Sequence, residues 1–77
     1  MKLKTLLKSV EVQGPVFIVT WCDDAEIILF ETEDFEAHRH EIHKDVLNME
    51  IKYIFPFVAY SGDGAALKIE MKPKEEE

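Results

Sequence analysis

Glu36, His40 and His43 stand at i, i+4 and i+7. On a helix they would line one flank, the arrangement that three ligands of a zinc or nickel ion require. The neighbouring His40-Glu41-Ile42-His43 is one residue short of the H-E-x-x-H metalloprotease box, so its histidines lie three apart and Glu41 leaves their face. A solvated helix flank needs no ion and is the commoner use of such residues, with Glu36 beside His40 and Arg39 beside His43 as i, i+4 neighbours. His38 is three residues from Phe35 and four from Ile42, and reads as a boundary residue of the apolar side. The expectation is a chain that requires no metal or cofactor, with Glu36, His40 and His43 as its candidate ligands.

Cys22 is the single cysteine. Asp23 and Asp24 beside it oppose the thiolate form that a nucleophile needs, so a packed or half-exposed turn residue is the simpler role. One cysteine builds neither a disulfide framework nor a cysteine-based zinc site, and a reducing, cytoplasmic compartment is expected. Paired carboxylates abound, in Asp23-Asp24 and in Glu31, Glu33, Asp34 and Glu36. General acid–base work would need a pocket that desolvates one of them. Ser61-Gly62-Asp63-Gly64 is too short to cradle a phosphate and reads as a turn. No catalytic residue emerges, and a non-enzymatic protein is expected.

Charge narrows the partners. Residues 1–10 carry +3, residues 11–50 carry −9 and residues 51–77 carry −1, which together make the net charge of −7. So acidic a middle argues against direct binding to nucleic acid, which requires a basic footprint. The apolar run at the N-terminus is too short for a signal-peptide core, and no stretch approaches the length of a membrane span. A soluble chain with no membrane partner is expected.

These residues must be positioned by one small domain, since 77 residues bury a single modest core. Residues 51–71 read as a β-hairpin. Ile51, Tyr53, Phe55, Phe57 and Ala59 are apolar at alternate positions, and so are Ala65, Leu67, Ile69 and Met71. Parity then favours a three-residue loop, Gly62-Asp63-Gly64, with Ser61 opposite Ala65, Ala59 opposite Leu67, Phe57 opposite Ile69 and Phe55 opposite Met71. Pro56 has no N–H to donate, which assigns it to an edge, a bulge or an outward-facing position.

Before that hairpin, Leu3, Leu6, Leu7 and Val10 fall at helical spacing, with the lysines opposite. So short a helix must dock on the hairpin face to persist. Gly14-Pro15 ends this region. Residues 16–21 and 26–32 form a second strand pair around an Asp23-Asp24 loop, which sets Val19 against Ile28, Phe17 against Phe30, and Ile18 against Leu29. Both faces of this pair are apolar. Phe17, Val19, Trp21, Ile28 and Phe30 therefore serve either as core or as a contact with another molecule. From Asp34, a candidate N-cap, a helix to Asn48 would stripe Phe35, Ile42, Val46 and Met49 along one side, with Asn48 as a left-handed cap. Residues 72–77 form a charged tail, expected to be frayed.

The order of Met1-Lys2-Leu3-Lys4, Leu6-Leu7-Lys8, a Phe17-Ile18-Val19 strand, Glu26-Ile27-Ile28-Leu29-Phe30, Asp45-Val46-Leu47-Asn48-Met49 and a closing Leu67-Lys68-Ile69-Glu70-Met71 resembles a family of small uncharacterised proteins. They are encoded in phages and integrative elements of Gram-positive bacteria. The histidine-containing stretch between the second and third strands is longer here than in that pattern. The resemblance implies a mobile-element accessory protein and supplies no catalytic residues.

The fold expected is α+β, a single domain over residues 1–71 in the order helix, hairpin, helix, hairpin. Its mostly antiparallel four-stranded sheet would curve or close into a small barrel. The function expected is protein interaction, with an unidentified protein or a second copy, through Phe17, Val19, Trp21, Ile28 and Phe30. Two alternatives stand beside it: an acidic inhibitor that mimics nucleic acid through Glu31, Glu33, Asp34, Glu36 and Glu41, and a metal-binding protein using the histidine cluster.

Overall fold

The computed structural model describes residues 1–58 and 64–73. Four strands, β1 (Val16–Cys22), β2 (Ala25–Thr32), β3 (Ile51–Val58) and β4 (Ala65–Met71), form one sheet in the order β2-β1-β4-β3. β1 pairs antiparallel with β2, and β3 with β4, but the central pair β1–β4 runs parallel. The sheet is therefore mixed and open. Two of its three pairings are antiparallel, as the expectation of a mostly antiparallel sheet allows, and the barrel alternative fails because β2 and β3 end the sheet as edges.

The first hairpin turns where the sequence indicates. Cys22 pairs with Ala25, and Asp23 and Asp24 adopt φ of 50° and 67°. Positive φ at both loop residues is what a two-residue hairpin needs to match the strand twist, and Asp tolerates that region better than most residues. Val19 faces Ile28 as expected. An irregularity between Ile18 and Val19 then places Leu29 as an extra residue, so Ile18 pairs with Phe30 and Phe17 with Glu31. The expected Phe17–Phe30 and Ile18–Leu29 pairs are lost to that bulge, which turns both Leu29 and Phe30 against the core.

The second hairpin departs further. Ile54 pairs with Ile69, Phe55 with Lys68, Pro56 with Leu67, Phe57 with Ala66 and Val58 with Ala65. The expected pairings of Phe57 with Ile69 and of Phe55 with Met71 are overturned, and Tyr53, Phe55 and Phe57 move to the face opposite the core. A shift between Ile51 and Tyr53 then brings Ile51 back opposite Met71. Pro56 sits on an edge strand, where a missing N–H is tolerated. Most of the expected loop, together with Ala59 and Ser61, lies outside the described residues; Gly64 has φ of 121°.

All helices pack on one side. α1 (Leu3–Ser9) buries Leu3 and Leu7, while Val10, expected on the same stripe, is exposed. Its start is pinned to the segment before β3: Leu3 N donates to Met49 O at 3.1 Å and Ile51 N donates to Met1 O at 2.8 Å. Its end is held by Arg39 Nη2, which donates to Leu7 O at 3.1 Å and satisfies one carbonyl the helix leaves free. The connection to β1 is fixed by Gly14 at φ 81°, whose carbonyl accepts from Phe35 N at 2.9 Å.

The single helix expected from Asp34 to Asn48 is broken. Asp34 caps α2 (Phe35–His38) through Oδ1, which accepts from Ala37 N at 3.3 Å. A 3₁₀ turn over Arg39–Glu41 follows, and Ile42 is extended. His43 caps α3 (Lys44–Leu47), its Nδ1 accepting from Asp45 N at 3.1 Å. Asn48 ends α3 in the right-handed region, not the left-handed one, and its side-chain amide donates to Lys44 O. The apolar stripe survives the break: Phe35, Ile42 and Val46 are buried with Leu3, Leu7, Val16, Ile18, Ile69 and Met71. Burial of that stripe, not helix continuity, is what the core requires.

Candidate interaction face

Strand pleating assigns each side chain to a face. Phe17, Val19 and Trp21 of β1 share theirs with Glu26, Ile28 and Glu31 of β2, Lys68 and Glu70 of β4, and Tyr53, Phe55 and Phe57 of β3. None of these belongs to the core cluster that the helices cover. Trp21 is 43 % exposed, Ile28 50 % and Tyr53 58 %.

The face is organised by contacts between strands. Phe17 and Phe57 meet edge to face with centroids 5.1 Å apart. Trp21 Nε1 donates to Glu70 Oε1 at 2.7 Å. Lys68 Nζ donates to Glu26 Oε2 at 3.0 Å, linking β4 to β2 across β1, and lies 5.0 Å from the Phe57 ring centroid. Val19, on the same face, is fully buried although no helix lies over it. Aromatic contacts, a satisfied indole N–H and a paired lysine give these side chains defined positions before any partner arrives.

Of the residues expected to make a contact, Phe17, Val19, Trp21 and Ile28 are brought together here. Phe30 is not; it turns to the core and packs edge to face on Phe35, at 6.4 Å between centroids. Tyr53, Phe55 and Phe57 join the face unforeseen. Their signal was Ile54, Pro56 and Val58, a second apolar series that made the strand readable in either orientation.

The other candidate groups disperse. Helix breakage at Ile42 removes the common flank of Glu36, His40 and His43, and among the described residues no three His, Cys, Asp or Glu side chains are grouped to hold a metal ion. His38 contacts Glu41, and its hydrogen bond holds the Glu41 carboxyl below the ordinary value. Glu31 lies on the open face, Asp34 is occupied as a cap, and Glu33 and Glu36 are exposed nearby. Cys22 is an exposed free thiol and, with Trp21, Leu29, Val46, Met49 and Pro73, lines a groove of about 320 Å³. No helix among the described residues is long and apolar enough to cross a membrane.

Comparison with family models, curated proteins and solved structures finds no match.

Proposed function

We propose that this chain is a non-enzymatic protein-interaction module whose contact surface is the open face of the sheet. The observation that carries the reading is the aromatic set Phe17, Trp21, Tyr53, Phe55 and Phe57 on a face that no helix covers. Aromatic residues supply much of the binding energy at protein interfaces, and an apolar patch of this kind on a small domain marks a contact site. Four strands about 4.8 Å apart and some seven residues long give a face of roughly 400 Å². That is about half of what each partner buries in a stable complex, so the face alone supports a transient contact or part of a larger one. The accessory role in a mobile element that the sequence resemblance implies is compatible with this reading and does not carry it. Mimicry of nucleic acid is less favoured, because Asp34 and Glu41 already serve internal hydrogen bonds.

Capture from a bacterial lysate on the wild-type chain and on Tyr53→Lys and Phe55→Lys chains tests the face. A partner held by the wild type and lost by both variants is expected; one retained equally by all three overturns the reading. Light scattering at about 0.1 mM, within the range of weak specific contacts, shows whether that partner is a second copy.

A further inference from the structure

We infer that the outer edge of β2 is a strand-addition site for an extended segment of the partner protein, one that alternates basic and apolar residues. The inference rests on the interaction reading above and names the partner's chemistry.

The two edges of the sheet are unlike. β3 carries Pro56 and Lys52, devices that discourage a further strand, and each edge carries one register irregularity, beside Lys52 in β3 and at Leu29 in β2. β2 has no proline, lysine or arginine, and from Ala25 to Ile28 it pairs with β1 without interruption. On that run Ile27 and Ile28 are consecutive and both exposed, at 43 % and 50 %. They point to opposite faces: Ile27 pairs with Thr20 on the helix side and Ile28 with Val19 on the open side. A partner lying flat on either face covers one isoleucine and leaves the other in water. A strand added along the edge flanks both, while its main chain engages the outer N–H and C=O groups of β2.

Register sets the composition of that strand. On the open side its residues fall beside Glu26, Ile28 and Glu31; on the helix side they fall beside Ile27, Leu29 and Phe30. Residues 23–36 hold seven carboxylates and no lysine or arginine. Lysine or arginine toward the open side meets Glu31 and shares Glu26 with Lys68 while its methylene stem covers Ile28, and valine or isoleucine meets the helix-side row. A second copy of this chain would bring like-charged β2 strands together and is disfavoured for that reason. An edge contact also adds area that the open face alone lacks.

The test is a titration of the isotope-labelled chain, followed by amide spectra and hydrogen exchange, at about 0.1 M salt, where charges are screened beyond roughly 10 Å. The probe is a capped eight-residue peptide of alternating lysine and valine. Its control is the same peptide N-methylated at alternate residues, which keeps charge and sequence but removes the donors on one edge. Expected are slowed exchange at alternate amides of β2 and affinity for the control weaker by about tenfold or more. Ile28→Lys, and Ile27→Lys as a second variant should the first not fold, lose the preference between the peptides. Tyr53→Lys keeps it. Equal binding of the two peptides, or protection away from β2, overturns the inference. Protection of β2 in a dimer without peptide assigns the edge to a second copy and overturns the basic partner. If peptide binding fails while Tyr53→Lys still loses its lysate partner, the edge is wrong and the open face stands; the converse result removes the face and keeps the edge.

Discussion

Phe17 on β1 and Phe57 on β3 meet edge to face at 5.1 Å, although β4 lies between their strands. Two rings can touch over an intervening strand only from the same face, so the contact requires Phe57 to pair with Ala66 and not with the core residue Ile69. Stability should follow that assignment. Ile69→Ala, which removes a fully buried side chain, is expected to cost about 2 to 5 kcal/mol in denaturant unfolding. Phe55→Ala, on the exposed side, should cost less than about 1 kcal/mol. A cost for Phe55→Ala as large as that for Ile69→Ala would restore the register that buries Phe55 opposite Met71 and Phe57 opposite Ile69.

Asp34 provides a second check. Its carboxylate satisfies an amide at the start of α2, and α2 carries the fully buried Phe35. Asp34→Ala should destabilise the fold by about 1 kcal/mol, the usual cost of a lost N-cap. Glu36→Ala, exposed on the same helix, should stay within about 0.5 kcal/mol. Equal effects would show that charge near the helix start, not the cap, is what matters.

Local chemistry was legible and long-range pairing was not. The Asp23-Asp24 turn, the Asp34 cap, the buried Leu3 and Leu7 and the stripe of Phe35, Ile42 and Val46 follow from neighbouring residues alone. The register of β3 on β4 does not. β3 is apolar at Tyr53, Phe55 and Phe57 and again at Ile54, Pro56 and Val58, so alternation cannot select its inner face. What selects it is β4, whose Leu67 and Ile69 pair with Val16 and Ile18 of β1 and are thereby turned toward the helices. A parallel pairing between distant segments leaves no local mark in sequence. The candidate face was accordingly half visible, in Phe17, Val19, Trp21 and Ile28, and half hidden in β3.

Acid should loosen the anchor of the N-terminus. Met1 N lies 2.8 Å from Glu50 Oε2, and that hydrogen bond from the terminal ammonium holds the Glu50 carboxyl below its ordinary value. The folded pKa is the lower one, so this contribution is complete above the unfolded value of about 4.5 and is lost as pH falls through the folded value. Thermal melts across the acid range should therefore fall less steeply for Glu50→Gln than for the wild type. N-terminal acetylation should flatten the curve in the same way and add nothing to Glu50→Gln. Glu41→Gln should act in the same direction, because the hydrogen bond from His38 depresses Glu41 likewise.

Lys68 and Glu26 test whether the open face is built or incidental. Their side chains are only 18 % and 33 % exposed, and the pair sits among Phe57, Val19 and Ile28, where water screens it less than on an ordinary surface. Lys68→Met leaves Glu26 without its cation and should destabilise the fold by more than Lys68→Met does in a Glu26→Gln background. A double-mutant cycle should give a coupling of about 1 kcal/mol, at the upper end for exposed pairs. Because the same lysine lies against the Phe57 ring, Lys68→Met should also broaden the amide signals of Phe17 and Phe57 if the pair holds the face in one arrangement. Zero coupling with unchanged spectra would make the ion pair a bystander, and the Phe17–Phe57 and Trp21–Glu70 contacts would then order the face without it.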